Sequence, residues 1–347
     1  KGAITTEADI NTSTPKKEST RKELFTFLES ELKEVEGTIT ATKSYGKADK
    51  NVVRMLLAKL YLNAEVYTGT QRYNDAIAAC DQVIGSGLYN IEPRATYLQM
   101  FYPNNGPQMK EFIFAVPYDA AAVTVGFNGQ MYHARYDVPR SERAKFGLQF
   151  TPSAARSTLP EFYANFNDPN DSRNRQWLTG LQYMNDGVTP VMVTTTKKGY
   201  DQFYTGADGG AAYTYQVNLT PDIIPRQNPA LFDLGNDEIA WNMGYRNIKF
   251  YPDATSTNRN QNNDVPFLRY SDVILMKAEA ILRGGGETLG QTPVALVNMV
   301  RSNRTTSSAL GSVTLEELYK ERSREFAQEA WHRNDMIRFG KYEGEWG

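Results

Sequence analysis

Between Phe267 and Tyr342 three apolar-periodic segments follow one another: FLRYSDVILMKAEAILRGGG, VALVNMVRSNRTT and LYKERSREFAQEAWHRNDMIRFGKY. In the first, Tyr270, Ile274, Ala278 and Ile281 recur on one helix face with Leu275 and Leu282 beside them, and the triple glycine Gly284 to Gly286 stops the helix. A second helix opens with Thr292 as cap and Pro293 at its first position, where the missing N–H is harmless, and carries Leu296, Val297 and Val300. A third begins at Thr314, forms a capping box with Glu317, and directs Leu315, Leu318, Tyr319 and Phe326 inward. The first two make a helical hairpin, and a hairpin cannot bury its faces alone, so a fold built on it must stack further helices against it.

A comparable unit lies upstream. Thr20 and Glu23 make another capping box, leading a helix with Leu24, Phe27, Leu28, Leu32 and Val35 on one stripe. Beyond a linker at 37–47, Leu56, Leu57, Leu60, Tyr61 and Ala64 line one helix. After a turn at Thr68 to Thr70, a second carries Tyr73, Ala76, Ile77, Cys80, Val83 and Ile84. Two antiparallel helices over about 34 residues, with small and aromatic side chains at the packing positions, fit the tetratricopeptide template. Residues 51–85 and 267–304 are therefore read as two tetratricopeptide-like hairpins. Residues 90–266 differ: proline, glycine, asparagine and tyrosine dominate, helical periodicity is weak outside Pro160 to Phe166, and alternating runs such as Val188 to Thr196 suggest small β-hairpins. So long a loop-rich stretch inside a compact domain is normally functional.

The C-terminal run resembles the signature of the SusD/RagB family, cell-surface glycan-binding lipoproteins of Bacteroidota. The matching residues are Arg269, Tyr270, Asp272, Ala278, Glu279 and Ala280, the pair Asn298 and Arg301, and then Glu321, Arg322, Glu325, Asp335 and Arg338. Asp171, Arg173, Trp177, Gly180 and Gln182, in FNDPNDSRNRQWLTGLQY, match a further block. The resemblance implies a mainly α fold, a SusD-like superhelix of tetratricopeptide-like hairpins with a loop-rich, partly β excursion at 90–266 forming the ligand surface. It implies a single domain over 1–347, which starts at Lys1 without a methionine and is expected to be truncated at both ends. It further implies an outer-membrane protein held at the cell surface by an N-terminal lipid anchor absent from this chain. Such a protein captures oligosaccharide and delivers it to a SusC-like TonB-dependent transporter. A peptide-binding member of the same family and a tetratricopeptide scaffold that binds only protein stay open as alternatives.

Composition excludes other classes. With a formal net charge of -2 and no block of lysine and arginine, the chain lacks the electrostatic footprint of a nucleic-acid binder. No apolar run approaches the ~20 residues of a spanning helix. Cys80 is the single cysteine, which excludes an intrachain disulfide and a cysteine zinc site; at a core-facing helical position it reads as a buried thiol. The two histidines, His133 and His332, have no metal-ligand spacing, and GxSxG, phosphate-loop and HExxH motifs are missing. No catalytic residue, metal ligand or cofactor is assigned, and the expectation is a non-enzyme. Asp168, Asn170 and Asp171 hint at a calcium loop, but without its glycine and terminal glutamate a turn with local side-chain hydrogen bonds fits better. The charges from Glu316 to Glu325 read as the solvated face of the third helix.

Sugars present flat CH faces ringed by hydroxyls, so a binding surface needs aromatic planes beside amides, carboxylates or arginine. The segment FNGQMYHARY offers Phe127, Tyr132 and Tyr136 next to Asn128, His133 and Arg135. Trp177 and Tyr204 complete the candidate ligand-binding set, although Trp177, inside a family block, reads better as a packing residue.

Overall fold

The computed structural model describes residues 2–11, 16–120, 123–124, 127–128, 133–153, 156–196, 213–225, 234–235, 237–257 and 259–343. Asp49 caps the helix Lys50–Leu62, its carboxylate accepting from the N–H groups of Asn51 and Val52. Gly69, at φ 75°, turns the chain after the short helix Ala64–Thr68, and Tyr73–Gly85 runs back. The second hairpin pairs Tyr270–Leu282 with Pro293–Arg301, the latter capped by the Thr292 hydroxyl. Tyr73–Gly85 lies against Tyr270–Leu282, so the two hairpins share one layer. Met55, Ala58, Ile77, Cys80, Ile274, Ala278, Leu296 and Val300 belong to one core. Every residue from Tyr270 to Ile281 is buried, the apolar ones in the core and Asp272, Lys277 and Glu279 in ion pairs.

The triple glycine does more than stop a helix. Gly284 takes φ 108°, a left-handed conformation that side chains resist. A Cβ on Gly285 would stand 2.5 Å from Ile77 Cδ1 and 2.9 Å from the Ala280 carbonyl oxygen, so glycine is also what lets the hairpins touch. The Thr20–Glu23 capping box opens the helix Arg21–Thr38 as expected. Its stripe is only partly covered, with Leu28 46% and Val35 42% exposed, while Phe25, off the expected stripe, is buried.

Two expectations are corrected. Phe267 to Arg269 are not helical; they end the strand Val265–Arg269, which pairs antiparallel with Phe112–Val116 in a bulged register that sets Phe112 opposite Arg269. Alternation decides it: Leu268 is buried and Phe267 exposed, as on a strand, and Arg269 keeps extended angles as the helix cap. The helix Leu315–Glu325 has its Thr314–Glu317 box, and Glu316, Glu317 and Lys320 are exposed as expected, but the charges of its second half are not a solvated face. Glu321, Arg322 and Glu325 are buried, because each meets opposite charges brought from distant segments, which helical periodicity cannot register. Leu318 and Phe326 are buried as expected, whereas Leu315 and Tyr319 are half-buried.

The loop-rich part is organised by short antiparallel ribbons. Trp177–Leu178 pairs with Arg246–Asn247, and Gly180–Leu181 with Asn218–Leu219. In the 188–196 run, Asp186 accepts from Val188 and Thr189 in a turn across which Pro190 pairs antiparallel with Tyr183, and Met192–Thr195 then pairs with Tyr213–Gln216. Val138, Phe146, Leu148, Leu178, Val217 and Leu219 give this part its own core. Among the described residues no helix is long and apolar enough to cross a membrane.

Candidate ligand-binding site

The residues that carry the family resemblance form a buried ion network beneath the loops. Arg269 donates to Glu325 at 2.9 Å, to both Glu329 oxygens at 2.7 and 2.8 Å, and to Glu111. Arg304 reaches Glu325 and Glu111, each at 3.0 Å, and the Glu92 carbonyl at 2.7 Å. Arg173 binds Asp171 at 2.6 Å, Glu321 at 2.8 Å and Glu325 at 3.1 Å. Burial alone would raise the Glu325 carboxyl, but the Arg304, Arg269 and Arg173 guanidiniums hold it well below the usual carboxylate range. A second cluster joins Arg338 to Glu279 at 2.7 Å and Asp335 at 2.7 Å, and Arg322 to Asp335 at 2.9 Å. These contacts tie residues 92, 111 and 171–173 to the helical layer. They clamp the loop-bearing part onto it and leave the clamped charges no access to a ligand.

Above this frame, His133, Arg135 and Tyr136 share the one-turn helix His133–Asp137. The His133 ring stacks on Phe250 with centroids 4.2 Å apart, and its Nδ1 lies 3.1 Å from Asp137 Oδ2. Arg156 Nε sits 2.8 Å from Asp137 Oδ1. The Arg135 and Arg156 guanidiniums lie 5.3 and 5.4 Å from the Tyr136 ring centroid, cation–π distances that fix the half-buried phenol. An aromatic plane thus stands beside two cations. The backbone of Phe127–Asn128 pairs with Val123–Thr124, whereas Tyr132 and Tyr204 lie outside the described residues. Trp177 is elsewhere: 7% exposed, it is enclosed by Phe166, Tyr163 and Phe162 at 5.0, 5.6 and 6.3 Å, the surroundings of a packing residue.

The Asp168 turn carries the local hydrogen bond expected of it, the carboxylate accepting from Asn170 N–H at 3.0 Å, and the same carboxylate also accepts from the distant Thr305 Oγ1 and Ser307 Oγ at 2.7 and 2.8 Å. Among the described residues no group of three or more His, Cys, Asp or Glu could hold a metal ion. Cys80 is fully buried, which pushes its thiol far up and keeps it protonated. Sequence reasoning missed a cleft of about 940 Å³ between Pro93–Ala95, Pro169–Arg175 and Ser302–Thr306. Its walls come from three segments that only the tertiary fold assembles, although one of them lies in the recognised 166–183 block.

Residues 55–347 match the model of the SusD family. The chain is 27% identical over 344 residues to the starch-binding protein SusD of Bacteroides thetaiotaomicron, which covers 92% of this chain and 57% of that protein. Among solved structures, it resembles surface glycan-binding protein A from Bacteroides thetaiotaomicron in complex with laminarihexaose, with TM-score 0.61 and 20% identity over 92% of this chain and 61% of that one. A SusD superfamily protein from Parabacteroides distasonis gives TM-score 0.63 and 17% identity over 97% and 62% of the two chains. A structure with a xylogluco-oligosaccharide gives 0.64 and 18% over 98% and 62%. The chain therefore spans less than two thirds of the length of these relatives.

Proposed function

The chain belongs to the SusD family, and from that premise we propose that it captures an oligosaccharide at the cell surface, without cleaving it, for delivery to a SusC-like TonB-dependent transporter in the outer membrane. The carrying observation is the family match together with 27% identity to a starch-binding protein. Two solved relatives of like fold hold oligosaccharides, a laminarihexaose and a xylogluco-oligosaccharide. On this chain the reading is supported by the His133 to Tyr136 turn, whose phenol ring and neighbouring guanidiniums offer the stacking plane and hydrogen-bond donors a sugar ring uses. Phe127, Asn128, Tyr132 and Tyr204 are proposed to extend that surface.

An oligosaccharide captured at the surface needs a partner that takes it inward, which is the place of the transporter; an N-terminal lipid anchor would keep the two together. Isothermal titration calorimetry against a panel of neutral and acidic oligosaccharides, with a reducing-sugar assay on any ligand bound, tests capture. Binding without release of reducing ends is expected; release of reducing sugar, or no binding to any glycan by the full-length protein, overturns the reading. Delivery is tested by extracting the native lipoprotein in mild detergent. A TonB-dependent barrel should copurify through an interface above ~1,600 Å², the usual size of a specific contact. Recovery of the protein alone from membranes rich in that transporter would refute delivery.

A further inference from the structure

We propose that the cleft between Pro93–Ala95, Pro169–Arg175 and Ser302–Thr306 recognises the anionic group of an acidic saccharide, a uronic acid carboxylate or a sugar sulfate. The inference rests on the glycan-binding reading and narrows its ligand class. At about 940 Å³ the cleft has the size of a small-ligand site and admits one or two sugar rings. Two of its lining side chains, Arg94 and Arg175, are exposed guanidiniums. Among the described residues neither is within ion-pair distance of a carboxylate; Arg175 makes one long bond, 3.5 Å, to the Ser172 carbonyl.

The buried arginines next to the cleft differ, Arg173 and Arg304 being held by internal carboxylates. Of the acids nearest the cleft, Asp171 is paired with Arg173 at 2.6 Å, and Asp168, which keeps its charge, is turned to the hydroxyls of Thr305 and Ser307, which leaves two guanidiniums against one carboxylate. The cleft therefore presents net positive charge to a ligand. A guanidinium fork matches the paired oxygens of carboxylate and sulfate.

A cleft wide enough for a sugar ring, on a chain read as capturing glycans, favours an acidic saccharide over a bare anion.

The test is calorimetry on this chain with three probes: oligogalacturonate, the same oligomer fully methyl-esterified, and a sulfated chondroitin oligosaccharide. At least one acidic probe should bind tenfold or more tighter than the ester and lose affinity as sodium chloride is raised. Arg94→Ala and Arg175→Ala should each weaken that binding by roughly tenfold, as loss of a charge-assisted hydrogen bond does, and leave any affinity for the ester unchanged. Both side chains are exposed, so unchanged thermal unfolding of the variants is expected and confirms that the fold is intact. Tighter binding of galacturonate or of the sulfated probe assigns the anion to carboxylate or sulfate, and either supports the site. If the ester or neutral glucans bind as well as the acids, or the alanine variants keep full affinity for the acidic probe, the proposal fails while glycan capture stands. If no glycan of any kind binds the full-length protein, it is the glycan reading itself that fails.

Discussion

The Arg304 guanidinium grips the Glu325 carboxylate through two hydrogen bonds, Nε to Oε2 and Nη2 to Oε1, each 3.0 Å, where neither side chain has any solvent exposure. The pair is not symmetric in its surroundings. Glu325 also serves Arg269 and Arg173, whereas Arg304 has Glu111 and the Glu92 carbonyl in reserve.

That asymmetry makes a prediction. Glu325→Leu takes from three buried guanidiniums the one carboxylate they share, although each keeps another acid, and should destabilise by about 3–5 kcal/mol, the range for breaking a buried pair. Arg304→Met leaves Glu325 with two cations and should cost clearly less. Urea unfolding of both variants decides the order; equal midpoints would mean that Glu325 is not the hub.

Stability should fall in acid through these same groups. Burial alone would raise the Glu321 and Asp335 carboxyls, but Arg173, Arg324 and Arg301 around the one, and Arg322 and Arg338 around the other, hold both at about 2, against ordinary values of 4.5 and 3.8. The folded state thus binds fewer protons than the unfolded chain, so this stabilisation is complete above pH 4.5 and is lost as pH falls towards 2. Urea midpoints should be level between pH 5.5 and 7 and drop steeply below 4.5, and a flat profile down to pH 3 would contradict the assignment.

Gly285→Ala should destabilise by about 1–3 kcal/mol, the cost of overpacking, because the new methyl meets backbone at Ala280 as well as Ile77. Gly286→Ala, whose Cβ would have only Asn74 Oδ1 at 3.9 Å, should be nearly neutral. Thermal unfolding of the two variants compares them directly, and similar melting temperatures would show that the hairpins are not in contact there.

Trp177 and Tyr136 should separate stability from binding. Trp177→Ala opens a cavity among Phe162, Tyr163 and Phe166 and should cost about 3–5 kcal/mol. Tyr136→Ala should unfold close to the parent yet bind oligosaccharide several-fold more weakly, since a stacking ring contributes about 1 kcal/mol. Tyr132→Ala and Tyr204→Ala are expected to behave like Tyr136→Ala. Calorimetry paired with unfolding curves would expose the error if Tyr136→Ala lost stability instead of affinity.

What the chain encodes locally is decided by its sequence: the capping boxes at Thr20 and Thr314, the Thr292–Pro293 start, the glycine stop and the apolar stripes all act within a few residues, and their helices form where those signals lie. The signature residues could be picked out along the chain as well, but not their work. Glu321, Arg322 and Glu325 read as a solvated face because a charged helix side looks the same whether it meets water or guanidiniums more than a hundred residues away in sequence, as Arg173 is from Glu325. Strand pairing between Phe112–Val116 and Val265–Arg269, the enclosure of Trp177 and the cleft flanked by Arg94 and Arg175 depend on the same kind of long-range closure. Propensity and periodicity are properties of neighbours, whereas burial of charge, register and the shape of a cleft exist only once distant segments have met, and these the tertiary structure alone decides.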